Sequence, residues 1–146
     1  MPREDAEKMQ FYVYLLTLDD YSPHGILGGE EKSDWKYAIN LTYRCLASGL
    51  WKIWNTTWLS EHGINNYYTF CKKLSELDPF FLSSQGEEFW LEPFMCSTEL
   101  SINLIKKFDI NGEREDLCTI FVEEIEKIFE AAGVPWCAGD IFKVHN

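Results

Sequence analysis

Histidines, cysteines and paired carboxylates carry most acid–base and nucleophilic chemistry. This 146-residue chain holds few of them in a useful order. Its three histidines, His24, His62 and His145, each sit beside different chemistry. His24 could carry a proton, but the sequence supplies no partner for it, and a loop histidine is usually just solvated. The five cysteines, Cys45, Cys71, Cys96, Cys118 and Cys137, are odd in number and 19 to 26 positions apart. They make no C-x-x-C pair and no zinc spacing. Four stand inside apolar runs, where a reduced thiol packs as a small hydrophobe, so a reducing cytosol is the expected compartment. Glu87 and Glu88 adjoin, and two acids in a row on a loop read as a solvated pair. H-E-x-x-H, G-x-S-x-G and the P-loop are all missing. The glycines at 25, 28 and 29 invite a phosphate loop, but no Gly-Lys-Ser/Thr follows, and Glu30 and Glu31 would repel the anion. The sequence therefore assigns no catalytic residue, cofactor or metal ligand. A Cys/His or carboxylate site assembled in space stays open as the enzymatic alternative.

The elements that must position these groups are organised around residues 33–54. On a helix, Lys36, Asn40, Arg44 and Ser48 form one polar stripe, and Trp35, Ala38, Ile39, Thr42, Cys45, Leu46 and Gly49 fall opposite. Ser33 stands where an N-cap belongs, Asp34 complements the helix dipole, and Gly49 is a stop. Leu50, Trp51, Ile53 and Trp54 then add large apolar area. Residues 9–18 are ambiguous: β-branched and aromatic content suits a strand, while length and the charged lead-in suit a helix, which is the preferred reading. Residues 19–32 read as a loop. Asn65 or Asn66 caps a helix carrying Tyr67, Phe70, Cys71, Leu74 and Leu77, with Lys72, Lys73 and Glu76 outward, and Asp78-Pro79 ends it.

Residues 79–97 read as a long connection, apolar and acidic at once. Phe80, Phe81, Leu82, Phe89, Trp90 and Phe94 could fill gaps between helices, or form an exposed patch ringed by Glu87, Glu88 and Glu92. A helix capped by Ser97 or Thr98 follows, with Leu100, Leu104, Ile105 and Phe108 on one face. The last long helix begins after Glu113, Glu115 and Asp116. It sets Leu117, Ile120, Phe121, Ile125, Ile128, Phe129 and Ala132 against Thr119, Glu123, Glu126, Lys127 and Glu130. Glu123 and Lys127 are an i, i+4 pair, and Gly133 with Pro135 marks the stop. The fold class expected is a single all-α domain over residues 1–146, a compact helical bundle, with one short N-terminal strand as the alternative at residues 9–18.

Composition narrows the partners. A chain of this size buries roughly 70% of its unfolded surface and needs no staples. Acidic residues number 24 against 13 basic, a formal net charge of −11. That field repels phosphate backbones and anionic membranes, and it attracts a basic partner. Six Trp, seven Tyr and ten Phe exceed what so small a core needs, so some rings should reach the surface, where they favour binding patches. The first residues lack the apolar stretch of a signal peptide, and no run of 18 apolar residues could span a membrane.

The run from Leu18 to Leu41, followed by Ser-Gly-Leu-Trp at 48–51, resembles small acidic bacterial immunity proteins of polymorphic or contact-dependent toxin systems. So do Phe-Trp-Leu-Glu-Pro at 89–93, Ser-Thr-Glu-Leu at 97–100 and Ala-Gly-Val-Pro-Trp at 132–136. The resemblance lies in general character more than in any diagnostic motif. It implies one tight cytoplasmic complex with a toxin domain, often a basic nuclease, and no enzymatic activity.

Two further function classes stand beside that inhibitor: a small enzyme, and a non-enzymatic interaction or adaptor module. For the inhibitor, clustering and loop placement nominate Asp19, Asp20, Glu30, Glu31, Asp34, Glu87, Glu88 and Trp90 as partner-binding residues. The acids would imitate phosphates and steer docking, and the ring would anchor it. The partner expected is a basic toxin protein, with no direct nucleic-acid or membrane contact.

Overall fold

A computed structural model describes residues 1–113 and 116–144. The segment expected to be either helix or strand is helix: α1 spans Arg3–Leu15. Ala6, Met9, Gln10 and Val13 are its buried positions, at spacings only a helix puts on one face. Glu4 and Asp5 suit its N-terminus, and an Arg3–Glu7 ion pair at 2.8 Å spans its first turns. The N-terminal strand is thus overturned, because aromatic and β-branched content yields to tertiary burial with a helical period. The Met1 ammonium lies 2.9 Å from Glu126, which joins the chain's start to its last helix.

The central helix, α2, spans Lys32–Ala47. Its N-cap is Glu31, not Ser33, which lies inside the first turn. The Asp34 carboxylate accepts the Glu31 backbone N–H at 3.0 Å, so the acid acts as the returning half of a capping box. Gly49 does end the helix. Its φ is +81°, a left-handed value that favours glycine, and it lets Leu50 donate to the Cys45 carbonyl at 2.9 Å.

The chain then forms β1, Trp51–Ile53, which pairs antiparallel with β2, Met95–Ser97, in the register Trp51 to Ser97, Lys52 to Cys96 and Ile53 to Met95. Neither strand is in the expected all-helical pattern. Three residues are too few to display a period-2 signal. Tyr21 extends the pairing on the other side of β2, exchanging two backbone bonds with Met95 at 3.0 and 2.8 Å.

Five more helices complete the order: α3 Thr56–Glu61, α4 Tyr67–Glu76, α5 Ser84–Leu91, α6 Glu99–Lys107 and α7 Thr119–Ala131. Asn66 caps α4 as expected, accepting the Thr69 N–H at 2.7 Å. A helix, α5, occupies the stretch expected to be a loop. Ser83 caps it by accepting the Gly86 N–H at 3.0 Å, and a Cβ on Gly86 would lie only 3.2 Å from that hydroxyl oxygen. The glycine is therefore a close-approach residue, not a helix breaker. α7 starts at Thr119, later than expected; Glu113 and Asp116 precede it, and Glu115 lies outside the described residues. Ile120, expected inside, is 63% exposed, and Glu123 and Lys127 form no ion pair.

The protein is thus mainly α, with one two-stranded ribbon. Its interior is one cluster running from Ala6 to Phe142 and including Trp35, Trp51, Trp90, Phe70, Phe121 and Phe129. The Trp35 and Trp90 indoles donate to the Leu74 and Leu77 carbonyls at 3.0 and 2.7 Å, so both large rings are buried without an orphan N–H. Among the described residues, no helix is long and apolar enough to cross a membrane.

α2 is buried on two sides. Its apolar side packs against α4 and β1. Its polar stripe, expected to face solvent, is covered by the C-terminal segment: Asn40 is 2% exposed and Arg44 1%. Asn40 donates to the Lys36 and Phe142 carbonyls and accepts from the Ile141 and Phe142 N–H groups, at 2.7 to 3.1 Å. Arg44 donates from Nε to Val134 O and from Nη2 to Pro135 O and Gly139 O, at 2.6 to 3.0 Å. Its guanidinium also lies over the Trp136 ring, 4.7 Å from the centroid. The stripe is a clamp for residues 134–142.

Candidate partner interface

Pairing fixes which side chains share the ribbon's outer face. Successive strand residues point to opposite sides. Trp51 and Ile53 are buried, so Lys52 and Trp54 point outward. Trp54 N–H donates to Phe94 O at 2.8 Å, one position beyond the last paired residues, Ile53 and Met95, while Phe94 N–H turns to Asn55 Oδ1 at 3.2 Å. Trp54 is 64% exposed and Phe94 43%. The Tyr21–Met95 bridge carries Asp20 opposite Cys96, and Lys52 faces Cys96 from the other strand. Burial raises the Cys96 thiol; Asp20 raises it further and Lys52 opposes, consistent with both charges flanking that sulfur. The ribbon therefore leaves the Trp54 ring mostly and the Phe94 ring partly exposed, with Asp20 and Lys52 exposed on either side of the buried Cys96.

Of the eight nominated residues, Asp20 belongs to this face, and Asp19 precedes it in the chain. Both are exposed, and the Asp19 carboxylate accepts the Asp20 N–H at 2.8 Å. Glu30, Glu31 and Asp34 lie elsewhere, at the start of α2. Glu30 edges a groove of about 470 Å³ walled by His24, Pro79, Phe80 and the fully projecting Phe81. Asp34 is partly buried and already engaged with the Glu31 N–H. Glu87 and Glu88 lie on α5, with Glu88 Oε2 at 3.8 Å from His62 Nε2. Trp90 is fully buried, its indole spent on Leu77 O, so it offers a partner nothing. That nomination is overturned: inside α5, Trp90 falls on the face turned to the core. Trp54 is an exposed ring of the kind the composition implied, at a position the local reading did not choose. The signal was there: with Lys52 outward, period 2 sends Trp54 outward too.

His62 stacks on Trp58 with ring centroids 4.0 Å apart, and its Nδ1 lies 2.8 Å from Trp58 O. A carbonyl only accepts, so Nδ1 is the donor and Nε2 faces Glu88. His24 Nε2 sits 3.0 Å from Pro79 O. His145 lies outside the described residues. Cys45 and Cys71 are fully buried, and burial pushes both thiols well above their ordinary range, which keeps them protonated and unreactive. Among the described residues, no three His, Cys, Asp or Glu side chains converge to hold a metal ion.

No protein-family model, no curated protein and no solved structure matches this chain.

Proposed function

We propose that the protein is an inhibitor of the immunity type, which binds a basic toxin domain in the cytoplasm and silences it. The observation that carries this reading is the ribbon face: Trp54 and Phe94, joined by a backbone hydrogen bond, expose their rings at one end of a ribbon that also carries Asp20, on a chain of net charge −11. Aromatic side chains supply binding energy at low entropic cost, and acids beside them steer a cationic partner into place. Glu30 and Glu31 at the start of α2 add to that field.

The test is co-purification from the native host, followed by an assay of the captured protein's own activity with and without this chain. Inhibition by the native chain is expected, with affinity reduced about thirtyfold or more by Trp54→Ala, the scale of an interfacial hot spot. Association should slow as salt is raised. A captured protein whose activity is untouched by binding would reject the inhibitor reading. An association rate indifferent to salt would reject charge steering.

A further inference from the structure

The structure assigns a second site, on the opposite logic: a polar cavity of about 430 Å³ where α1, α2 and the C-terminal segment meet. We propose that it binds a small zwitterion bearing a carboxylate and an ammonium group, as a free α-amino acid does. The cavity is lined by three cations, Lys8, Lys36 and Arg44, and by three acids, Glu4, Asp5 and Asp140. Four of these six charges answer one another. Lys36 lies 3.3 Å from Asp140, and Lys8 lies 3.7 Å from Glu4. Among the described residues, Arg44 and Asp5 remain outside any ion pair, although Asp140 also acts on Arg44 at longer range.

Arg44 is 1% exposed, yet no described carboxylate forms an ion pair with it. Its three hydrogen bonds use Nε and Nη2 and end on backbone carbonyls; among the described residues Nη1 has no partner, and the residue borders the cavity. A buried cation with an idle donor facing a polar space suits a ligand carboxylate. Asp5 borders the same space. Its backbone carbonyl accepts the Tyr37 hydroxyl at 2.7 Å, while its carboxylate takes part in no ion pair among the described residues. A lone anion would meet as many acids as cations here. A ligand carrying both charges matches the pair left over. The rings of Tyr37 and Trp136, 5.6 Å apart, stand beside it. The volume suits a small molecule of this class.

Binding to the folded chain alone raises its melting temperature, so thermal shift and titration calorimetry read the site directly. The probes are the individual α-amino acids, with acetate and methylamine as single-charge controls. At least one amino acid is expected to bind more tightly than either control. Asp5→Asn should weaken that amino acid about tenfold or more, the worth of one charged hydrogen bond, and leave acetate unchanged. Arg44→Gln endangers the C-terminal clamp, so Asp5→Asn, at a partly exposed position, carries the test. No binding by any amino acid, acetate binding as tight as the amino acid, or an unchanged affinity in Asp5→Asn would each overturn the proposal. None of these results bears on inhibition of a basic partner, which uses the ribbon.

Discussion

The C-terminal clamp and the ribbon place their side chains in opposite ways. At the clamp, Asn40 and Arg44 lie inside, where apolar residues normally sit. On the ribbon, Trp54 and Phe94 lie outside, where polar residues normally sit. The clamp explains itself. Each buried donor it uses ends on a backbone carbonyl, and the Asn40 carbonyl takes two N–H groups in return, so the burial cost is offset within the fold. The ribbon face has no such internal account. The described chain leaves Trp54 mostly and Phe94 nearly half in water, and that difference is why one region is assigned to folding and the other proposed to meet a partner.

The largest effect should come from breaking the clamp. Arg44→Ala strips the Val134, Pro135 and Gly139 carbonyls of their donor and opens a space under Trp136. A loss of about 3–5 kcal/mol is expected in urea unfolding, the scale of a broken buried polar network. Asn40→Ala removes bonds to Lys36, Phe142 and Ile141 and should cost about 2–3 kcal/mol. Because the two residues hold one segment, the double variant should lose less than the sum. A loss under about 1 kcal/mol for Arg44→Ala, typical of an exposed position, would return the stripe to the solvated face its sequence suggests.

That stripe marks where local reading stops. The spacing of Trp35, Ala38, Ile39, Cys45 and Leu46 reveals α2 and its apolar side, because helical periodicity is local. Gly49 and Asn66 reveal their caps for the same reason. The burial of Asn40 and Arg44 depends on partners about 90 to 100 positions further on, and no local pattern encodes which segment will cover a face. Residues 83–91 misled in another way: the stretch 79–97 reads as one long connection, while Gly86, lacking a side chain, fits closely against the Ser83 cap of α5. For the candidate interface, the total charge and ring count were informative, but their placement was not. Asp20 falls on the ribbon, opposite Cys96; Trp90, chosen from the same composition, turned inward with α5.

Arg44 and its neighbour Cys45 sharpen the contrast inside one helix. Both are buried: burial lowers the guanidinium's pKa against the opposing pull of Asp140, and its donors end on three carbonyls, while the thiol, on the apolar side, is pushed up and stays neutral. Burial raises the folded-state pKa of Cys45 and Cys71 above the ordinary 9.0. The unfolded chain therefore releases its thiol protons first as pH climbs. The stability these thiols contribute is intact below about pH 9 and is lost above it, at about 1.4 kcal/mol per thiol for each pH unit until the folded values are reached. Tyr37, raised by burial and by Asp5, adds to the loss above its ordinary 10.0. Urea unfolding across the alkaline range measures the slope, and Cys71→Ala should reduce it by one thiol's share. A slope unchanged in that variant would show that Cys71 ionises as readily folded as unfolded.

The smallest effect on stability is expected at the ribbon, and it decides the most. Trp54 already meets water over most of its surface, and Phe94 over nearly half. Replacing either by alanine forfeits little burial, so Trp54→Ala should change unfolding free energy by less than about 1 kcal/mol. Trp51, three positions earlier and 1% exposed, supplies the control: Trp51→Ala should cost about 3–5 kcal/mol. Two tryptophans at the two ends of one short segment would then differ by several kcal/mol in what the fold asks of them. Only Trp54 would be dispensable for folding, and a ring that the fold does not use is free to serve a partner. If Trp54→Ala proved as damaging as Trp51→Ala, its ring would belong to the fold after all, and the ground for placing a docking face there would be gone.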